Sequence, residues 1–405
     1  MTYFQQISYN DSANIDAFSR LRVSTPTYLF DAQFSYDLET YTFEQVTSGT
    51  GATVTYDSTN RCALMTFSST PTGGKAFMQT YDWIPYQPGR SHLTFVTFNF
   101  NGGVANTLKF AGLGNGTNGI QLEMNGTTLQ ASIYSATTAG SETVAQSSFN
   151  IDKLDGTGPS GITFDPTKTQ ILVIDYQALY VGRVRMGLDV NGVVYYFHQF
   201  VHSNLIAYPY IQIASLPVRA GMTCTGTVST TMLFICSSVI SEGGNLEQIG
   251  YGFAQEGTGT AGNSVAAHIL SIRPKTTFNS ITTRAKFILE TIDVFVSGNQ
   301  SVRFDLVIGQ AITGTTTFNS VNAASCFEYN TAGTISGSPA VVLSQIYCAS
   351  ANTQKGVSDK TVTARFPITL DAAGAVRANG TISIIATGLG ATSACNASMM
   401  WREIR

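Results

Sequence analysis

The side chains able to do chemistry are few and scattered. There are four histidines, His92, His198, His202 and His268. His198 and His202 stand four apart, a spacing that brings two imidazoles to one ion on a helix. Their context, VVYYFHQFVH, reads as strand, where four residues span about 13 Å, so the two rings cannot share a metal. Asp152, Asp155 and Asp165 flank the turn LDGTGPSG and could offer oxygens to calcium. Their spacing is not that of a helix–loop–helix calcium site, and Asp beside Gly is ordinary turn chemistry. The segment Ser69 to Ala76, STPTGGKA, lacks the first glycine of a phosphate loop and has Ala76 where a hydroxyl should meet magnesium. It reads as a turn between strands. No Gly-x-Ser-x-Gly elbow occurs.

Polysaccharide hydrolysis needs two carboxylates opposed across a cleft. The nearest pattern, Glu290-Thr-Ile-Asp293, puts its acids on opposite faces of a strand. Asp175, inside the apolar run ILVIDY, is a candidate buried acid, expected to be hydrogen-bonded to strand or turn groups. No catalytic residue, metal site or cofactor is assigned, and the chain is expected not to be an enzyme. What remains is surface chemistry. Tyr176, Tyr180, Tyr195, Tyr208 and Tyr210 crowd one region, and tyrosine with Asn and Asp offers flat apolar faces plus hydrogen bonds for sugars. These five are the candidate ligand-binding residues, against the plainer alternative that most fill or rim a core.

The elements that must carry these residues are strands. Ile120, Leu122 and Met124 alternate with polar residues, Asn125-Gly126 follows, and Leu129, Ala131 and Ile133 alternate again, which predicts a hairpin. Val184, Met186, Leu188 and Val190 lead to a second turn at Asn191-Gly192. Ile171 to Ile174 predicts a central strand buried on both sides. Trp83 is placed at a strand end with its ring in a core. A third hairpin is expected from FILETIDVFV through Ser297-Gly298-Asn299-Gln300 to SVRFDLVIG, with Val302, Phe304, Leu306 and Ile308 on one face. Later strands are expected at TVTARFPITL, TISIIATG and MMWREIR. No segment has a persuasive helical period, and no repeat recurs at a fixed spacing.

Composition agrees. Of 405 residues only 12% are charged, while Gly (38), Phe (24) and Tyr (18) are plentiful. This suits an all-β protein with many turns. A net charge of −3 with no basic stripe argues against nucleic-acid binding. The N-terminus lacks the pattern of a signal peptide, and no apolar run is long enough for a membrane helix. The six cysteines lack Cys-x-x-Cys spacing and are expected to be free and buried. Six Asn-x-Ser/Thr sequences, Asn115-Gly-Thr and Asn125-Gly-Thr among them, are read as turns.

These features predict two antiparallel β-sandwich domains, jelly-roll-like, preceded by an extended arm. The boundaries are 1–30 for the arm, 31–245 for the first sandwich, 246–262 for a glycine-rich linker and 263–405 for the second sandwich. The arm is expected to gain order on a neighbouring subunit or on the body of its own chain. Phe18, Leu21, Arg22 and Val23 are its candidate assembly residues.

Several stretches resemble structural proteins of tailed-bacteriophage virions. They include DAFSRLRVSTPTYLFD, YQPGRS, FNIDKLDGTGPSGITFDPTKTQILVIDYQALYVGRVRMGLDVNG, SNLIAYPYIQIASLPVRAGM, CSSVISEGG and MMWREIR. The succession ILVIDY, VGRVRMGLDV, NG and VVYYF also resembles the strand run of concanavalin- or lectin-like jelly rolls. The resemblance implies a virion component, a fibre, appendage or decoration protein, that meets other virion proteins through its arm. It implies a homo-oligomer, taken as a trimer, without membrane insertion. Deletion of residues 1–30 is then expected to leave a folded protein that fails to assemble. The alternatives are a host-glycan-binding adhesin and, less favoured, a polysaccharide depolymerase.

Overall fold

A computed structural model describes residues 14–23, 25–177, 179–242, 249–349, 353–357 and 366–405. The chain divides into two compact units, residues 1–247 and 248–405. Both are all-β and antiparallel, as expected, with two three-residue 3-10 turns beside the strands.

The strands of the first unit are β1 (Thr27–Gln33), β2 (Phe43–Ser48), β3 (Ala52–Asp57), β4 (Cys62–Thr70), β5 (Lys75–Thr80), β6 (Ser91–Asn99), β7 (Thr107–Gly114), β8 (Gly119–Asn125), β9 (Thr128–Tyr134), β10 (Glu142–Ala145), β11 (Gln170–Tyr176), β12 (Val184–Val190), β13 (Val193–Phe200), β14 (Val218–Cys224) and β15 (Val228–Glu242). One sheet of eight strands runs β13-β12-β11-β6-β15-β4-β3, with β1 also paired to β15. The other, of seven, runs β10-β9-β8-β7-β14-β5-β2. Strict alternation decides which side chains meet. Val96, Phe98, Leu172, Ile174, Met186, Leu188 and Phe234 of one sheet share a core with Met78, Ala111, Leu113, Ile120, Leu122, Ala131 and Met222 of the other. Two stacked sheets around one such core form a β-sandwich.

The predicted turns fare differently. Asn191 (φ 56°) and Gly192 (φ 83°) join Val190 to Val193, the two left-handed residues a tight I′ turn needs. At the other hairpin Asn125 pairs with Thr128, so the turn is Gly126-Thr127, with Gly126 alone at positive φ (58°). Leu172 to Ile174 are fully buried in the strand between β6 and β12, while Ile171 is partly exposed. Trp83 is buried just after β5. All six cysteines are free thiols, five of them buried and Cys236 partly so.

In the second unit a four-stranded sheet (in order Tyr251–Ala261, Ser393–Ile404, Lys286–Val296, Thr353–Val357) faces a six-stranded one (Asn319–Ser320, Phe327–Asn330, Ala266–Pro274, Ile382–Gly388, Val302–Ile308, Val341–Cys348). Three expectations need correction here. The segment 246–262 is not chiefly a linker: Tyr251–Ala261 pairs along its whole length with Ser393–Glu403. Its glycines permit close packing, because a Cβ on Gly257 would lie 2.2 Å from the Ile269 carbonyl oxygen and one on Gly259 2.4 Å from Ile269 Cδ1. The expected hairpin across Ser297–Gln300 does not form. Lys286–Val296 and Val302–Ile308 belong to opposite sheets, and both supply apolar faces to one core. Alternation fixes which face is buried but not which strand is the partner, so a crossing between sheets reads like a hairpin. In TVTARFPITL the described part, 366–370, is not a strand; residues 361–365 lie outside the described residues.

One buried cation joins the two sheets of the first unit. Lys109 on β7 donates to Phe100 O, Gly102 O, Thr230 Oγ1 and Thr231 O at 2.5–2.9 Å. Burial pulls its pKa down to about 8, so it still carries its proton at neutral pH. Lys109→Met should strand these carbonyls and cost about 3 kcal/mol or more, read as a lower urea midpoint.

Buried histidines set an acid limit. His92 Nε2 accepts from Gln87 N (3.2 Å) and His198 Nδ1 from Asn150 N (3.3 Å). Burial lowers their pKa values to about 3 and about 4. The unfolded chain, with ordinary histidines, takes up protons first. Their stabilising contribution is therefore complete above about pH 6.5 and shrinks as pH falls toward the folded values. The urea midpoint should drop between about pH 6.5 and 4.5; a flat midpoint across that window would contradict the assignment.

Candidate functional site

Each sheet of the first unit has a face turned away from the shared core, and the two faces differ. On the eight-stranded sheet the outward face holds Asp175, fully buried. Its Oδ1 accepts from Ser91 Oγ (2.6 Å), and its Oδ2 from Tyr196 OH (3.0 Å) and from the guanidinium groups of Arg185 and Arg22. Arg22 also pairs with Glu242 at the end of β15 and donates to Ile15 O (3.0 Å). Arg185 donates to Ile15 O at 2.6 Å and lies over the Tyr196 ring, 4.2 Å from its centroid. Burial raises the Glu242 pKa to about 7 against the opposing pull of Arg22.

This cluster straps residues 14–23 onto their own unit, the second of the two outcomes expected for the arm. It also bears on the deletion expectation. Arg22 is a counter-ion for a buried carboxylate, and residues 27–30 belong to β1, so removing 1–30 should unfold the sandwich. Leu21 (45% exposed) and Val23 (85%) point to solvent, and half-buried Phe18 carries Arg20 over its ring at 4.6 Å. Asp175 thus has the structural role expected of it.

The outward face of the seven-stranded sheet is built differently. Cross-strand register places Glu44 (β2), Gln79 (β5), Arg219 (β14), Gly112 (β7), Gln121 (β8), Ser132 (β9) and Thr143 (β10) in one transverse row. Gly112 in the middle is closely packed, since a Cβ there would lie 2.3 Å from Ile120 O and 3.2 Å from Ile174 Cδ1 of the shared core. In the next row Phe77 and Phe110 flank Gly221, and Glu123 follows. The Arg219 guanidinium rests on both rings, 4.1 and 4.9 Å from their centroids. Burial lowers its pKa to about 10, and it remains charged at neutral pH. Glu123 is fully buried but fully bonded: Gln130 Nε2 and Ser132 Oγ donate to Oε2 at 2.7 Å, and Tyr134 OH to Oε1 at 2.6 Å. Burial and the Glu123 charge push the Tyr134 phenol well above its ordinary pKa.

Three buried polar atoms in that first row, Gln79 Oε1, Gln121 Nε2 and Arg219 Nε, have no hydrogen-bond partner. Each such atom costs about 1–3 kcal/mol if left dry, and three of them fall on this one row. Arg219 is partly exposed, while Gln79 and Gln121 are buried (2% and 4% exposed). Acids for hydrolysis are badly placed: Glu44 and Glu123 sit four strands apart, about 19 Å at 4.8 Å per strand, beyond the separation a glycosidase pair uses.

The five candidate tyrosines separate. Tyr176 (2% exposed) and Tyr210 (1%) are core residues and are removed from the ligand-binding set. Tyr210 stacks on His202 at 4.1 Å, and that histidine contacts Gly182 O and Glu142 Oε1, both at 3.0 Å. Tyr195 is half-buried on β13, in the other sheet from the row. Tyr180 (42%) and Tyr208 (54%) are exposed on loops joined by Tyr210 N donating to Tyr180 O (2.9 Å). Thr137 Oγ1 donates to Pro209 O, while Asn118 Oδ1 accepts from Gln212 N (3.0 Å) and Ala136 N (3.3 Å). These loops edge the β7–β8–β9 end of the row, where Gly116 makes room for Arg219. Asn115 Oδ1 accepts from Thr117 N and Asn118 N, as expected of a turn. Asp152, Asp155 and Asp165 likewise close their own turns through backbone N–H groups. Gln79, Gln121 and Arg219 were not legible in the sequence as a set; polar residues alternating with core positions on β5, β8 and β14 were the available signal.

No family model matches the chain, and no curated protein is significantly similar. Solved structures with a related fold include a glycosyl hydrolase family protein from Mycobacterium fortuitum (16% identity, 53% of this chain and 99% of that one, TM-score 0.35). A carbohydrate esterase from the Shiga toxin-encoding bacteriophage phi24B gives 13% identity, 54% and 100% coverage and a TM-score of 0.34. A pseudo β-1,3-glucanase of Mycobacterium tuberculosis gives 12%, 52%, 98% and 0.35. Likeness at this level carries no argument about this chain. The class this chain falls in, an all-β protein of two antiparallel sandwiches, rests on its own sheets.

The Asp175 cluster yields a quantitative expectation. Arg22→Met, which leaves a buried carboxylate short of charge, should cost about 3–5 kcal/mol. Arg22→Met/Asp175→Asn together should cost less than the sum of the singles, by about 1–3 kcal/mol in a denaturation cycle. Strict additivity would mean the strap is not held by this pair.

Proposed function

We propose that the first unit binds a surface oligosaccharide on the outward face of its seven-stranded sheet and does not cleave it. The observation that carries this reading is the transverse row Gln79–Arg219–Gly112–Gln121, with three buried polar atoms that lack a hydrogen-bond partner. Sugar hydroxyls both donate and accept, and amide and guanidinium groups at fixed strand spacing match that pattern. Binding without hydrolysis is supported by the wide separation of Glu44 and Glu123 on this face and by the full hydrogen-bonding of Glu123. Tyr180 and Tyr208, on the bordering loops, would extend the contact beyond the row.

A structural place in a tailed-phage particle is compatible with this reading as its setting. It is supported by the sequence resemblance and by Leu21 and Val23, exposed beside the anchored Arg22. Localisation to the virion, contact with other virion proteins and a trimeric state belong to this proposal. Because residues 14–23 also hold the fold, the test is Leu21→Asp/Val23→Asp in the full chain. The variant should fold normally yet be lost from purified particles; undiminished incorporation would rule out this surface as the attachment site.

The binding test uses the full chain on an array of bacterial surface glycans. Wild type should bind at least one glycan class. Arg219→Met and Gln121→Ala should each lower affinity about 10-fold, the scale of one or two lost polar contacts, and Tyr208→Ala by less. Absence of any bound glycan, or variants that bind as tightly as wild type, would refute the assignment. Release of reducing ends from a bound glycan would replace binding by cleavage.

A further inference from the structure

The second unit contains a pocket of about 310 Å³ on the outward side of its six-stranded sheet, lined among others by Ser271, Arg273, Gln310, Phe318, Arg377 and Thr381. The alternation that sends Ile272 into the core turns Ser271 and Arg273 outward. Arg273 lies flat on the Phe318 ring, its Cζ 3.7 Å from the centroid, and pairs through Nε with Glu328 at 2.7 Å. Arg377 donates to Pro367 O (3.2 Å) and Thr369 Oγ1 (3.1 Å), which fixes its direction. The Ser271 hydroxyl is shared between His268 Nε2 (2.7 Å) and Ser383 Oγ (2.6 Å). No acidic residue is among the described residues lining the pocket.

Gln310 is the informative residue. Its Nε2 donates toward the carbonyls of Ala311 (2.9 Å), Ser336 (3.2 Å) and Gly337 (3.4 Å). Three carbonyls around one end of the amide settle which end is nitrogen. The other end, Oε1, is buried and has no partner, on a residue only 4% exposed. The pocket thus combines two guanidinium groups, which suit a carboxylate, an aromatic ring, and an acceptor that needs a donor. Its volume lies at the small end of the range for ligand sites, room for one ring and not a chain.

From this we infer that the second unit holds a binding pocket for a single acidic saccharide residue, its carboxylate toward Arg273 and Arg377 and a hydroxyl or amide N–H on Gln310 Oε1. This site does not depend on the first-unit face. It is tested on the full chain by titration calorimetry and ligand-observed NMR with D-glucuronate and N-acetylneuraminate, and with D-glucose and sulfate as controls. At least one acidic sugar should saturate with a millimolar Kd, the scale expected of one small ring, while glucose binds at least 10-fold more weakly. Arg377→Lys and Gln310→Leu should each weaken acidic-sugar binding at least 5-fold. Phe318→Ala, read the same way, stands in if Arg377→Lys lowers the melting temperature. Absence of saturation by both acidic sugars, sulfate binding as tight as the sugar, or unchanged binding in the pocket variants would overturn the inference. Loss of binding in Arg219→Met instead would move the site to the first unit and overturn it equally.

Discussion

The first unit is organised around one buried negative charge. Asp175 has no contact with solvent, and a carboxylate in that position is tolerated only if cations and donors surround it. One cation, Arg185, comes from the neighbouring strand β12 and is guaranteed by the sheet. The other, Arg22, comes from a segment that buries only Ile15 and Ala17 of its apolar residues fully. The demand of Asp175 for compensation is what fastens that segment. It fixes Ile15, Asp16 and Ala17 in buried positions, brings Arg22 to Glu242 at the end of β15, and covers one outward face of the sandwich with the chain's own residues. Arm and sandwich therefore form one folding unit.

That covering has a consequence for function. A two-sheet sandwich has two outward faces, and this one spends its N-terminal segment on the eight-stranded sheet. Among the described residues, no such strap crosses the polar row of the seven-stranded sheet. Gly112 and Gly221 sit at the centre of that face, where a Cβ would strike the neighbouring strand, so the strands there pack closely.

Much of the fold was legible in the sequence because alternation is a local signal. The hairpin at Asn191-Gly192, the buried strand Leu172–Ile174 and the inward faces of Val302 to Ile308 could all be read from neighbours a few residues apart. What was not legible depends on partners distant in sequence. Gln79, Gln121 and Arg219 become one site only through the order β5-β14-β7-β8, which no single segment encodes. Tyr176 and Tyr210 looked like surface tyrosines because their side of the strand could not be set without the sheet. The Tyr251–Ala261 strand looked like a linker because its glycines, read locally, signal flexibility, whereas in place they admit Ile269.

Scarcity of charge makes the buried charges easier to sort. With only 12% charged residues, each one withdrawn from water reveals what it is for by whether its atoms are met. Both oxygens of Asp175 have donors. Lys109 reaches four oxygens. Glu403 accepts from Ser325 Oγ (2.6 Å), Cys326 N (2.9 Å), Arg405 NH2 (3.0 Å) and Trp401 Nε1 (3.2 Å). Such groups are complete within the fold, and a ligand would have to break bonds to reach them. Arg219 is of another kind: its plane is supported by two rings, its Nε has no acceptor, and the amides on either side in its row each carry an unmet atom. Under the proposed reading, the unmet atoms of that row are the ones a polyhydroxylated guest would satisfy. A completed cluster stabilises the empty protein, whereas an incomplete one leaves bonds for a guest to make, and that contrast is what supports the proposal for the seven-stranded face.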